Sequence, residues 1–349
     1  MNLLVSVAAG LVLAGLAVAP AAAERLPELP RLGIAADDIS VVGVSSGGYM
    51  ATQLAVAWPE RFAGLAVLGA GPWSCAQGAL RLALGQCMTT RLGAPELDEL
   101  ANRHREYVER GLVGDPQALA RLRVFIWHGT EDDTVSPALG RALAEQMQGW
   151  LESPEEQLQL TESEAIGHGW PVATREETPV DILAGCRAGG GTHLLACGLD
   201  IAGEALGWLH GALDPPAETA PLDHLTRFTQ APFLDGKGFD EAGYLFVPEG
   251  CEEGDCGLTV VLHGCTMGAG QIGDAFVRHS GLNEWAATNR RVILYPQADT
   301  SLANPQGCWD WWGFAESTWQ LDPLHDTREG TQTRALMGMI DRLAQSPEA

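Results

Sequence analysis

Gly43-Val44-Ser45-Ser46-Gly47 lies between a β-branched apolar run, Ile39 to Val44, and a helical apolar pattern that ends at Pro59. A serine flanked by small residues at a strand-to-helix junction predicts a sharp elbow. Only small neighbours fit such a turn, which lifts the Ser45 hydroxyl clear of the sheet and leaves the next backbone N–H free. A second apolar run, Gly64 to Leu68, follows the helix pattern and completes a β-α-β unit. Few other local patterns restrict a chain so much, because two parallel strands joined by a helix must be covered on both faces.

The same alternation continues. Arg123-Val-Phe-Ile-Trp-His-Gly129 reads as a buried strand, and Leu158 to Ser163 as a further one. The segments after Pro95, Pro137 and Ile201 have helical periodicity, and Tyr244 to Pro248, Leu258 to Gly264 and Val292 to Pro296 give three more strands before a last helix from Gly330. The expected class is α/β, a mostly parallel central sheet with helices on both faces. Residues 214–221, polar and proline-rich, read as a connector between two halves.

Residues 1–23 form an apolar segment without charge that ends in Pro20 and three alanines, as a signal peptide cut before Glu24 would. No later run reaches the length of about 20 apolar residues that spans a bilayer, so the mature chain is expected in the periplasm or the medium, without stable membrane insertion. In an oxidising compartment the eight cysteines are expected to pair locally: Cys75–Cys87, Cys186–Cys197, Cys251–Cys256 and Cys265–Cys308. No CxxC or HExxH pattern supports a metal site. Lys and Arg total 21 against 45 Asp and Glu, a net charge of -24 without a basic cluster, which excludes nucleic acid as a partner.

A serine hydroxyl needs a base and an orienting carboxylate. In α/β-hydrolases these follow the nucleophile in the order acid, then histidine. Asp132, just after the Arg123–Gly129 strand, is the candidate acid, with Asp133 as its rival; His168, in a glycine-flanked loop, is the candidate base, with His193, His210 and His325 in reserve. The strand ending in His263-Gly264-Cys265 fits an oxyanion loop. It comes after the triad in sequence, so the two halves form one sheet only if the usual chain order is circularly permuted, with 214–221 as the joint. Two separate domains would leave the second half with too few strands and no acid-base set. Trp309, Trp311 and Trp312 stand within four positions on a loop, and at least one is expected to be exposed as an apolar platform for a hydrophobic substrate.

Together the elbow, the Asp after His128-Gly-Thr-Glu131, the Gly167-His-Gly-Trp-Pro171 loop, Leu262-His-Gly-Cys265 and Asn304 to Gly313 resemble the polyhydroxybutyrate depolymerases, in the type whose nucleophile precedes the oxyanion loop. The resemblance covers nearly the whole mature chain and implies a single, circularly permuted α/β-hydrolase domain over residues 24–349. It implies Ser45, Asp132 and His168 as the triad, the N–H groups of Ser46 and Cys265 as the oxyanion hole, and the three tryptophans along the substrate crevice. The implied activity is hydrolysis of poly(3-hydroxybutyrate) or its oligomers through an acyl-enzyme, without metal or organic cofactor. A feruloyl or acetylxylan-type esterase would keep the unpermuted order. A binding protein that only coats the polymer would not need the triad. Many secreted members carry a linker and a polymer-binding domain; this sequence has neither, which directs the expectation to amorphous polymer or soluble oligomers. Oligomeric state is not legible.

Overall fold

The computed structural model describes residues 25–174, 178–234, 238–316 and 322–347, so the expected signal peptide lies outside the described residues. Among the described residues ten strands occur in chain order: β1 (Ile39–Val44), β2 (Gly64–Leu68), β3 (Arg123–Gly129), β4 (Leu158–Ser163), β5 (Trp170–Pro171), β6 (Leu194–Leu195), β7 (Leu225–Thr229), β8 (Ala242–Phe246), β9 (Gly257–Leu262) and β10 (Arg291–Tyr295). Eight of them form one sheet in the order β4-β3-β2-β1-β9-β10-β8-β7, while β5 and β6 make a small parallel pair. From β4 to β10 every pairing is parallel; β8 runs antiparallel to both β10 and β7.

The topology joins the two halves of the sequence at the centre of the sheet. Ile39 pairs with Leu258 and Gly43 with Leu262, so the strand before the His263-Gly264-Cys265 loop lies directly beside the strand before the elbow. In the ordinary α/β-hydrolase order the oxyanion strand comes first in the chain. Here it follows β1 to β4, which is the circular permutation.

Burial explains why the strand patterns were readable. All six residues of β1 and all six of β9 are buried. Alternate side chains of β1 feed opposite layers: Ile39 and Val41 pack with Met50, Leu54, Leu336 and Ile340, whereas Val42 and Val44 pack with Ile201, Leu206, Phe276 and Leu282. A strand covered on both faces therefore reads as a continuous apolar run. The edge strand β7, Leu-Thr-Arg-Phe-Thr, buries only Phe228 and escapes a periodicity reading. Four disulfides, Cys75–Cys87, Cys186–Cys197, Cys251–Cys256 and Cys265–Cys308, clip loops around this frame.

Candidate active site

The elbow is a consequence of glycine placement. Ser45 has φ 57°, in the left-handed region, and the helix Ser46–Ala57 starts immediately after it. A Cβ on Gly43 would meet Gly47 O at 2.0 Å, and one on Gly47 would meet Leu262 O at 2.1 Å. The first glycine lets the helix fold back on its own strand. The second lets the elbow press against the end of β9, bringing the His263-Gly264-Cys265 loop to the serine.

Three elements converge on Ser45. His168 Nε2 is 2.9 Å from Ser45 Oγ, and His168 Nδ1 is 2.6 Å from Asp132 Oδ2. The carboxylate can only accept, so the proton sits on Nδ1 and the Nε2 lone pair faces the serine hydroxyl, as a general base requires. Asp132 Oδ1 accepts the N–H groups of Thr134 and Val135 at 3.0 and 2.8 Å. Burial pushes the Asp132 carboxyl up, but hydrogen bonds from His128 and His168 outweigh it and hold the group below the ordinary carboxylate range. The His168 loop is fixed from both sides: Gly167 N–H donates to Cys186 O at 2.9 Å and Trp170 N–H to His193 O at 2.8 Å, with Cys186 in the Cys186–Cys197 disulfide.

The rivals separate clearly. Asp133 points to solvent. His193 lines the same cleft but bonds the His168 carbonyl side, with Nδ1 3.4 Å from His168 O. His210 lies at the opposite end of β1, against Ser40. His325 is buried away from the cleft.

Beside the serine, the loop after β9 is set by His263. Its Nε2 lies 3.1 Å from the Ala298 N–H, which can only donate, so Nδ1 carries the proton and donates to Gly264 O at 2.7 Å. Burial lowers the His263 pKa to about 4, which keeps this tautomer neutral. A trans peptide places C=O and N–H on opposite sides. Holding Gly264 O on the His263 side therefore turns the Cys265 N–H away from it. Gly264 is at the contact, since a Cβ there would lie 3.1 Å from Ser45 Cβ. Among the described residues neither the Cys265 nor the Ser46 N–H donates a hydrogen bond to the protein. Sequence reasoning chose the HG motif but missed the work of its histidine, which needs Ala298 from a distant loop.

These groups line a cleft of about 250 Å³ together with Tyr49, Met88, His193, Met267 and Trp311. A larger groove of about 590 Å³, between the helices Leu97–Glu109 and Pro137–Gln148, contains none of them.

The tryptophan expectation needs correction. Trp309 is fully buried, 5.4 Å from the His263 ring and 5.6 Å from Phe239. Trp311 is buried and stacked on Tyr49 at 4.4 Å, presenting one wall of the cleft; Trp312 is half-buried, edge-on to Trp311. Among the described residues no exposed platform forms, because Asp310 pulls the loop inward: its Oδ1 accepts the N–H groups of Gly313 and Phe314 at 2.6 and 2.8 Å. The loop is also tied to the elbow, by Trp309 N–H donating to Ser46 Oγ at 3.3 Å, and to the loop after β9, by the Cys265–Cys308 disulfide.

No family model matches the chain. Among characterised proteins it is 32% identical to a poly(3-hydroxybutyrate) depolymerase of Delftia acidovorans over 90% of this chain, which spans 61% of that relative's length. It is 30% identical to a polyhydroxybutyrate depolymerase of Talaromyces funiculosus, covering 90% of this chain and 92% of the relative. Two solved structures, a PHB depolymerase from Penicillium funiculosum and a serine-to-alanine PHB depolymerase with an R3HB trimer, each superpose with a TM-score of 0.80 at 28% identity, over 91% of this chain and 98% of the other. With this likeness running through both permuted halves, the chain belongs to the polyhydroxybutyrate depolymerase family, ester hydrolases of the α/β-hydrolase fold.

Proposed function

We propose that residues 24–349 act as one catalytic domain that hydrolyses ester bonds of poly(3-hydroxybutyrate) and its oligomers, outside the cytoplasm, through an acyl-enzyme on Ser45. The observation that carries this reading is the aligned set Ser45 Oγ, His168 and Asp132, with two uncommitted N–H groups beside the serine. Ser45 Oγ attacks the ester carbonyl as His168 Nε2 takes its proton. The carbonyl oxygen gains negative charge and is met by the Ser46 and Cys265 N–H groups. The tetrahedral adduct collapses, and His168 returns the proton to the leaving 3-hydroxyl. Water then attacks the acyl-enzyme by the same relay and frees the acid and Ser45. Asp132 stays ionised throughout and holds the tautomer.

Substrate class follows from the cleft and the family together. The cleft walls are largely apolar, with Tyr49, Met88, Met267 and Trp311, suited to an uncharged aliphatic polyester. A feruloyl or acetylxylan esterase is disfavoured by the permuted order. Purified protein should clear a suspension of amorphous poly(3-hydroxybutyrate) and release short hydroxyacid oligomers. Rapid turnover of feruloyl and acetylxylan esters with no clearing would overturn the reading.

A further inference from the structure

We propose that His128 is a fourth member of the catalytic array, a positioning residue that donates a hydrogen bond to the same Asp132 oxygen that orients His168. The inference rests on the reading of Ser45, His168 and Asp132 given above. His128 is the next-to-last residue of β3 and is fully buried. Its Nε2 is 2.8 Å from Val135 O and 3.2 Å from Asp132 Oδ2. Both neighbours are acceptors, so Nε2 must carry the proton and share it between them. Nδ1 has no hydrogen-bond partner among the described residues and faces Gly140, where a Cβ would lie 2.6 Å from it. The ring is thus held in one tautomer, and Gly140 leaves the room it occupies.

The consequence falls on Asp132. Oδ2 has two imidazole nitrogens beside it, His168 Nδ1 at 2.6 Å and His128 Nε2 at 3.2 Å, while Oδ1 receives two backbone N–H groups. With the carboxylate plane already held by the two backbone N–H groups, an Oδ2 met by one imidazole alone would draw the His168 proton toward itself. A second imidazole at Oδ2 disperses the charge, so the proton stays on His168 Nδ1 and Nε2 stays a base. Besides the two imidazoles, the titratable groups that face this carboxylate are Tyr49 from the elbow helix and His193 beside β6.

The test is the pH dependence of kcat/KM on p-nitrophenyl butyrate. A hydrogen bond to a charged group contributes enough that His128→Phe should lower kcat about 10- to 100-fold, with KM changed less than about twofold. Because Asp132 then concentrates its charge on His168, the acidic limb should move to higher pH. His128→Gln, whose amide reaches the Nε2 position, should restore both; His128→Asn, whose amide reaches only the Nδ1 position, should not. In an Asp132→Asn background His128→Phe should cost less than about threefold more. If the acidic limb stays in place and the losses multiply in that background, His128 is a structural residue only and the proposal is wrong. If none of these variants folds, nitrogen NMR of the labelled wild-type protein decides: a proton on Nε2 with Nδ1 bare is required, and a proton on Nδ1 overturns the proposal. Activity surviving Ser45→Ala would instead overturn the underlying site.

Discussion

A serine, a histidine and an aspartate meet at each end of strand β1, and only one set is built for chemistry. At the C-terminal end are Ser45, His168 and Asp132. At the N-terminal end Ser40 Oγ is 3.1 Å from His210 Nε2, and His210 Nδ1 is 3.2 Å from Asp38 Oδ1. The distances are similar, but the surroundings differ. Arg291 Nη2 donates to both Asp38 oxygens at 2.7 Å and stands 3.1 Å from His210 Nδ1, so the carboxylate at this end is held mainly by a guanidinium. Ser40 Oγ is also shared with Thr259 Oγ1 at 2.9 Å and is fully buried, with its backbone in the ladder between β2 and β9. Ser45 opens on a cleft with two uncommitted N–H groups; Ser40 has neither. A Ser-His-Asp constellation is thus not a site until the serine opens on a cleft and charge has somewhere to develop.

The sharpest way to break this comparison is at the two serines. Ser45→Ala should lower kcat by roughly three orders of magnitude or more, whereas Ser40→Ala should leave kcat within about twofold. A serine-directed phosphonate should label Ser45 alone, as peptide mapping would show. Labelling of Ser40 would erase the distinction.

The next effect concerns the loops around the active end. Reduction of the disulfides should lower stability, by about 2 to 4 kcal/mol for a single link, and calorimetry with and without reductant would read it as a fall in Tm. Cys265→Ala/Cys308→Ala isolates the link between oxyanion and tryptophan loops. It should lower kcat more than it raises KM, because in the proposed mechanism the Cys265 N–H serves the transition state.

At the inert end the expected cost is in stability alone. Arg291→Gln should destabilise the fold by about 1 to 3 kcal/mol in urea unfolding, less than for a wholly buried pair because Asp38 is partly exposed, and should leave kcat unchanged. Loss of activity there would mean that the two ends are coupled.

The smallest effect is a pH slope common to both ends. Burial holds Asp38 and Asp132 against water, but their hydrogen bonds to imidazole or guanidinium keep both below the ordinary carboxylate range. The stability they supply is complete above the unfolded carboxylate value, about 3.9, and is lost only as pH falls further. Burial lowers His104 and His263 to about 4, so the unfolded chain binds more protons than the folded one between about 6.5 and 4. Tm should fall gently as pH drops through that window and more steeply below it. A Tm independent of pH from 7 to 4 would contradict the neutral His263 that sets the oxyanion loop.

Much of this was legible in the sequence where one residue's neighbours determine its environment. The elbow needs Gly43 and Gly47, and both are local. The strands β1, β3 and β9 are covered on two faces and so read as apolar runs. The permutation was legible because an HG loop without a nucleophile of its own has to find one elsewhere. Long-range partners were not legible. His263 depends on Ala298, and the inert clasp at Ser40 depends on Arg291, some 250 residues away. The tryptophans were misjudged because their number on one loop says nothing of Asp310, whose buried carboxylate gathers that loop's N–H groups and turns Trp309 into the core.

The central claim is that a loop from the second half of the chain completes the site on the first. A crystal structure of the Ser45 phosphonate adduct tests it most directly. The phosphoryl oxygen should lie about 2.7 to 3.1 Å from both the Ser46 and the Cys265 backbone nitrogens. An oxygen turned to solvent, or held by Ser46 while Cys265 stands beyond hydrogen-bond reach, would contradict the account.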